Sequence, residues 1–244
     1  MGSDRPARRD TVGACNRRAA RHAPRHGGAG LARPRRCGLA AGGAGRLSAG
    51  AGGSAQAPGF ARPEEWHPDH GLPGSMLCPR FRDGYARLAD HGLHFELQTT
   101  YWHLPDAADL ARAFPHIRMV INHTGVPGDR RPDTLTRWRA AMTAVAACPN
   151  VMVKISGLGV PGEAWTVAAN EGVVRDTLAL FGVERCMFAS NYPVDGLFRS
   201  LDGIFADFKA MTRDMAPADR RRLFNDNARA VYRLHQPEEV HAQS

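Results

Sequence analysis

From Phe81 onward, apolar positions alternate between helical spacing and short unbroken runs. Phe81, Tyr85 and Leu88 recur at i, i+4 and i+7, the stripe of an amphipathic helix that Gly92 ends before a strand over 93–98. Asp106 as cap predicts a helix over 107–114, which Pro115 stops before a strand over 117–122. Asp133 opens a third helix with Leu135, Trp138, Met142 and Val145 on one face, closing at Pro149 and Asn150 before a strand over 151–157. A fourth helix, 172–181, leads through the turn 182–185 into a strand over 186–190. Cys186, Met187, Phe188 and Ala189 show no polar alternation, which suits a strand covered on both faces, as in a parallel sheet. Four helix-then-strand units predict an α/β fold of parallel strands joined by right-handed crossovers, with helices outside. Three helices follow, over 201–211, 217–224 and 225–234, the last carrying Ala228, Val231 and Leu234 on one face.

Composition divides the chain before this pattern begins. Residues 1–60 hold 11 Arg, no Lys, two acids, 13 Gly and 14 Ala, a net of +9 in a chain whose total is +8, so the remainder is close to neutral. Such a segment buries too little apolar area to offset its ordering entropy and predicts a disordered leader over 1–62. An organelle transit peptide, a nucleic-acid arm and an out-of-frame translation of GC-rich sequence are the alternatives for this stretch. The folded domain is expected over 63–236, with a flexible tail over 237–244. That domain offers no basic helix or aromatic platform for nucleic acid, and no apolar run of about 20 residues to cross a bilayer. Five widely spaced cysteines without a Cys-x-x-Cys indicate a reducing, cytoplasmic setting.

Every strand ends on polar chemistry: Gln98 with His103 beyond it, His123, Lys154 with Ser156, and Ser190 with Asn191. Carboxyl ends of parallel strands converge on one rim, so these residues become neighbours. His123 reads as functional there, with a histidine bonded to a backbone carbonyl as the structural alternative. Lys154 reads as support for neighbouring carboxylates or the loop rather than as a nucleophile.

Four phrases in order, Val120 to Pro127, Asn150 to Leu158, Met187 to Val194 and Asn227 to Leu234, resemble the amidohydrolase-related family (amidohydrolase 2). This is a TIM-barrel group that includes sugar lactonases and a pyrone-dicarboxylate lactonase. The resemblance covers Trp66 to Leu234 and implies a partial TIM barrel whose four strands are the second half of eight. It gives His123 the place of the family's strand-end histidine, Lys154 that of its Lys-x-Ser-Gly lysine, and Asn191 that of an aspartate. An amide cannot serve as a base, and Asp195 is the nearest carboxylate to take over, or else an N-cap for the next helix. The family's first strand carries a His-x-His metal pair that this chain lacks, so no cofactor is expected unless such a strand is supplied.

The resulting expectation is a hydrolase opening a small lactone or cyclic ester. His123, Asn191 and Asp195 are its catalytic groups, with Gln98, His103, Lys154 and Ser190 on the substrate, and Asn191 and His103 as oxyanion donors. The rival is a truncated, non-catalytic binding or assembly remnant, whose open sheet edges and bare inner face invite homo-oligomers.

Overall fold

The computed structural model describes residues 53–56 and 76–234. The remainder of the expected leader and the tail over 237–244 lie outside the described residues. Five parallel strands form one sheet in chain order: β1 (Gly53–Gln56), β2 (Phe95–Gln98), β3 (Met119–Ile121), β4 (Val151–Ile155) and β5 (Cys186–Phe188). The first was not expected, because its sequence, Gly-Ser-Ala-Gln, has no apolar run and lies within the stretch assigned to the leader. Pairing with β2, from Gly53 opposite Phe95 to Gln56 opposite Gln98, uses the backbone and needs no apolar side chain.

Helices α1 (Pro79–Ala86), α2 (Leu104–Ala113), α3 (Pro132–Ala146) and α4 (Val167–Phe181) precede β2 to β5 in turn. Asp106, expected as a cap, and Asp133, expected to open its helix, both lie inside: α2 and α3 start ahead of them because Pro105 and Pro132 enter the first turn, where a missing N–H costs nothing. Thr166 caps α4 through its hydroxyl, which accepts from Ala169 N at 3.1 Å, and starts that helix earlier than expected. After β5 come α5 (Leu201–Met211), α6 (Pro217–Arg221), a π-helical turn at Arg222–Asp226 and α7 (Asn227–Tyr232).

Alternation sorts the strand residues onto two faces. Phe95, Leu97, Met119, Ile121, Val151, Val153, Ile155, Cys186 and Phe188 join the helices in the main core. Val120, Met152 and Met187 face the other way and pack with Val231, Ala228 and Tyr232 of α7. The inner apolar face expected to lie bare is therefore covered at these positions by the C-terminal helix, with Val120 and Met187 almost completely buried.

Carbonyls near the strand starts are gathered by long polar side chains. Arg185 Nη1 donates to Ala146 O, Cys148 O and Val151 O at 2.9–3.3 Å. Asn150 Nδ2 reaches Ala111 O, Phe114 O and Ile117 O, while Asn227 Nδ2 reaches Val183 O and Cys186 O. These clamps fix one edge of the sheet and leave the opposite edge, the carboxyl ends, to loops that carry the polar residues.

Candidate active site

The rim is ordered outward from α3. Buried Trp138 donates from Nε1 to Thr124 O at 2.8 Å, and Thr124 Oγ1 donates to Ser156 O at 2.9 Å. Ser156 Oγ in turn lies 3.0 Å from Nδ1 of His123. A helix thus sets a loop after β3, and that loop is tied to the end of β4. His123 itself is half-buried on left-handed backbone (φ 55°). Among the described residues its Nε2 has no hydrogen-bond partner. Burial is the main cause lowering its proton affinity, Lys154's charge adds to this, and Glu96's opposes it.

Gly157 makes this approach feasible. Its φ is +64°, and a Cβ there would stand 2.5 Å from His123 Cβ. Gly157→Ala is accordingly expected to lower stability by about 1–3 kcal/mol through strain alone, and to displace the His123 ring. Thermal unfolding and the His123 NMR signals check both effects.

Lys154 points to the inner face, where its Nζ pairs with Glu96 Oε2 at 2.6 Å. Glu96 also meets His94 Nε2 at 3.3 Å and accepts from Tyr232 OH, and Lys154 lies over the Tyr232 ring at 5.6 Å. Burial alone would raise the Glu96 carboxyl. Bonds from His94, Lys154 and Tyr232, with Lys154's charge, outweigh it and hold the group at about 2. Sequence reading missed Glu96, His94 and Tyr232. The available signal was the alternation of His94, Glu96 and Gln98 with Phe95 and Leu97, which sets a carboxylate on one face of a parallel strand and calls for a partner there.

Asp195 does not cap α5; Ser200 does, accepting from Gly203 N at 3.2 Å. Asp195 is 2% exposed and accepts from Leu158 N at 3.2 Å, from Asn191 Nδ2 at 3.0 Å, and from the backbone of Gly157 and Gly159. Burial pushes its carboxyl up and these donors pull it down, with the balance upward. Its occupied oxygens suit an anchor between the loops after β4 and β5 better than a base open to water. His123 and Asp195 meet at the same segment, one against Gly157 and the other through backbone bonds at 157–159. One Asn191 donor is turned to Asp195 rather than outward, and Ser190 Oγ accepts from Tyr192 N at 3.1 Å. Gln98 ends β2 half-buried, whereas His103 is buried beside Trp102.

The chemistry of the donors bears on metal. Among the described residues no three His, Cys, Asp or Glu side chains cluster to hold one ion. His123 Nδ1 is committed to Ser156, Glu96 is neutralised by Lys154, and Asn191 brings no charge. The described residues alone do not fit a divalent-cation site. No helix among them is long and apolar enough to cross a membrane.

Parallel strands with helices outside and polar side chains gathered at their carboxyl rim define a partial TIM barrel. The family model described as Amidohydrolase matches residues 10–234, and the chain belongs to that family. The match begins well upstream of Trp66, within the stretch assigned to the leader. The chain is 44% identical over 162 residues to the uncharacterized protein y4mH of Sinorhizobium fredii, covering 66% of this chain and 54% of that protein. It is 34% identical over 171 residues to an L-fucono-1,5-lactonase of Burkholderia ambifaria, covering 63% and 54%. A zinc-bound amidohydrolase from Burkholderia multivorans superposes with a TM-score of 0.61 at 26% identity, over 66% of this chain and 59% of that one. The chain spans about half the length of the curated relatives it matches.

Proposed function

We propose that the chain opens a lactone or similar cyclic ester of a small carboxylic or sugar acid by water attack, with His123 as the general base. The observation that carries this reading is the setting of His123, held at the rim through Nδ1 by Ser156. With Nδ1–H donating to Ser156 Oγ, the neutral ring keeps a lone pair on Nε2. Its lowered proton affinity favours that neutral form at neutral pH.

Nε2 takes a proton from water as the water oxygen bonds to the lactone carbonyl carbon. Collapse of the tetrahedral adduct breaks the ring C–O bond, and the imidazolium returns the proton to the leaving alkoxide. Lys154 and the second N–H of Asn191 are the donors for the developing oxyanion. Gln98 at the end of β2 and Ser190 after β5, on either side of β3 and β4, face substrate hydroxyls. Asp195 anchors the loops, and His103 takes a packing role in place of the oxyanion role expected of it. The likeness to an L-fucono-1,5-lactonase supports the substrate class. The test is turnover of L-fucono-1,5-lactone and other sugar lactones by the purified full chain. Ring opening no faster than in buffer removes the reading.

A second reading, a non-catalytic binding or assembly protein, is favoured by β1 and β5, each of which has one neighbouring strand among the described residues. Edge strands template pairing with another chain. Concentration-dependent association in sedimentation, without turnover, selects this reading over hydrolysis.

A further inference from the structure

Left-handed backbone concentrates in one loop. Of six non-glycine residues at positive φ among those described, four lie between positions 123 and 130: His123, Thr124, Val126 (47°) and Arg130 (62°). Such conformations are costly for residues with a Cβ, above all for β-branched valine, and they cluster where a fold holds a ligand. Residues 126–130 of this loop form one wall of a cleft of about 290 Å³, and residues from 157–161 form the other. Gly157, which touches His123, lines the cleft too, so it adjoins the rim site.

Arg130 lines the cleft with donors unused. Its Nη2 donates to Leu158 O at 3.1 Å and reaches Asn170 Oδ1 at 3.5 Å. Nε and Nη1 are shielded from solvent and, among the described residues, have no hydrogen-bond partner. Burial pushes the guanidinium down to about 10, against the charge of Asp195. Asp195, however, is already served by Asn191 and backbone N–H groups. The other charged residue of the cleft, Asp129, is exposed and paired with Arg131 at 2.7 Å. A half-buried cation that lines a cleft and keeps two N–H groups without partners among the described residues calls for an oxyanion, and carboxylate geometry matches guanidinium best.

We propose that Arg130 and this cleft form a carboxylate-binding subsite beside His123, taking an anionic group of a hydroxy acid or of its lactone. The hydrolase reading supplies the lactone part of that identity; affinity for the carboxylate stands apart from turnover. The carboxylate has two sources: one borne by the substrate from the start, or the one released by ring opening.

The full chain, labelled with ¹⁵N-arginine, is titrated with D-gluconate and with D-glucitol, which share a carbon chain and differ in the carboxylate. Gluconate is expected to shift the Arg130 Nε–H signal and glucitol to leave it in place. Arg130→Gln is expected to weaken gluconate at least tenfold, and Arg130→Lys less, because it keeps the charge. In turnover, a raised KM for anionic glucaro-1,4-lactone but not for neutral glucono-1,5-lactone in Arg130→Gln assigns the subsite to a substrate carboxylate. Weakened inhibition by gluconate with both KM values unchanged assigns it to the product. Gluconate binding without any turnover removes the hydrolase reading and leaves the subsite standing. An Arg130 signal that responds alike to gluconate and glucitol, or a folded Arg130→Gln chain with full gluconate affinity, overturns the proposal.

Discussion

A His123→Gln chain is expected to open sugar lactones about 10²–10⁴-fold more slowly than its parent, the usual contribution of a positioned base. Folding should survive. The ring is half-buried, and among the described residues its side chain makes a single hydrogen bond, to Ser156, so the loss of stability should stay within about 1.5 kcal/mol. The pH profile adds a sharper requirement. Because His123 in the fold binds its proton less readily than a free imidazole, the base form persists as pH falls through 6.5. The acidic limb of kcat/KM in the parent should therefore lie below pH 6.5. Lys154→Met removes one of the two causes of that depression, and the limb should move toward higher pH. A variant within twofold of its parent, or a limb unmoved by the loss of Lys154, would show that another group takes the proton.

Much of this fold was legible because strands and helices announce themselves by period. Four strands and their helices follow from apolar runs and stripes, but the boundaries moved: prolines and Thr166 begin helices early, every strand is shorter than expected, and a π-helical turn at Arg222–Asp226 divides the last two helices. Strand β1 carried no such signal, since Gly-Ser-Ala-Gln holds no apolar run. The convergence of strand ends on one rim follows from parallel topology and was legible too. What the sequence could not give was the direction of each side chain. Lys154 was expected to support a carboxylate, but its partner was hidden, because only the pleat and the strand order bring it onto Glu96, two strands away. Asp195 looks like a free carboxylate, yet a loop from β4 fills its oxygens with N–H groups. Arg130 left no trace at all in the pattern, because its unusual state depends on backbone conformation and burial in the assembled loop. Periodicity speaks to faces of elements, while sites depend on which loops meet.

The Glu96 and Lys154 pair yields the largest expected effect on stability. Its side chains are only 13% and 21% exposed. Glu96→Leu keeps the ammonium but deletes its counter-charge and the acceptor for Tyr232, and loss of one partner of a buried pair costs about 3–5 kcal/mol. The remaining exposure of Lys154 places this case toward the lower end. Acid should reproduce the loss in the parent chain. The Glu96 carboxyl falls from its ordinary 4.5 to about 2 in the fold, a shift worth on the order of 3 kcal/mol. Since the folded value is the lower one, this stabilisation is complete above about pH 4.5 and drains away as pH drops toward 2. Glu96→Gln lacks the charge at every pH and so lacks this titration. Urea unfolding of parent and Glu96→Gln, followed from pH 7 to pH 2, should therefore show a gap that is constant above pH 4.5 and narrows below it. A gap that stays constant down to pH 2 would mean that Glu96 is not held ionised by Lys154, His94 and Tyr232, and that the inner face is fixed by the packing of α7 alone.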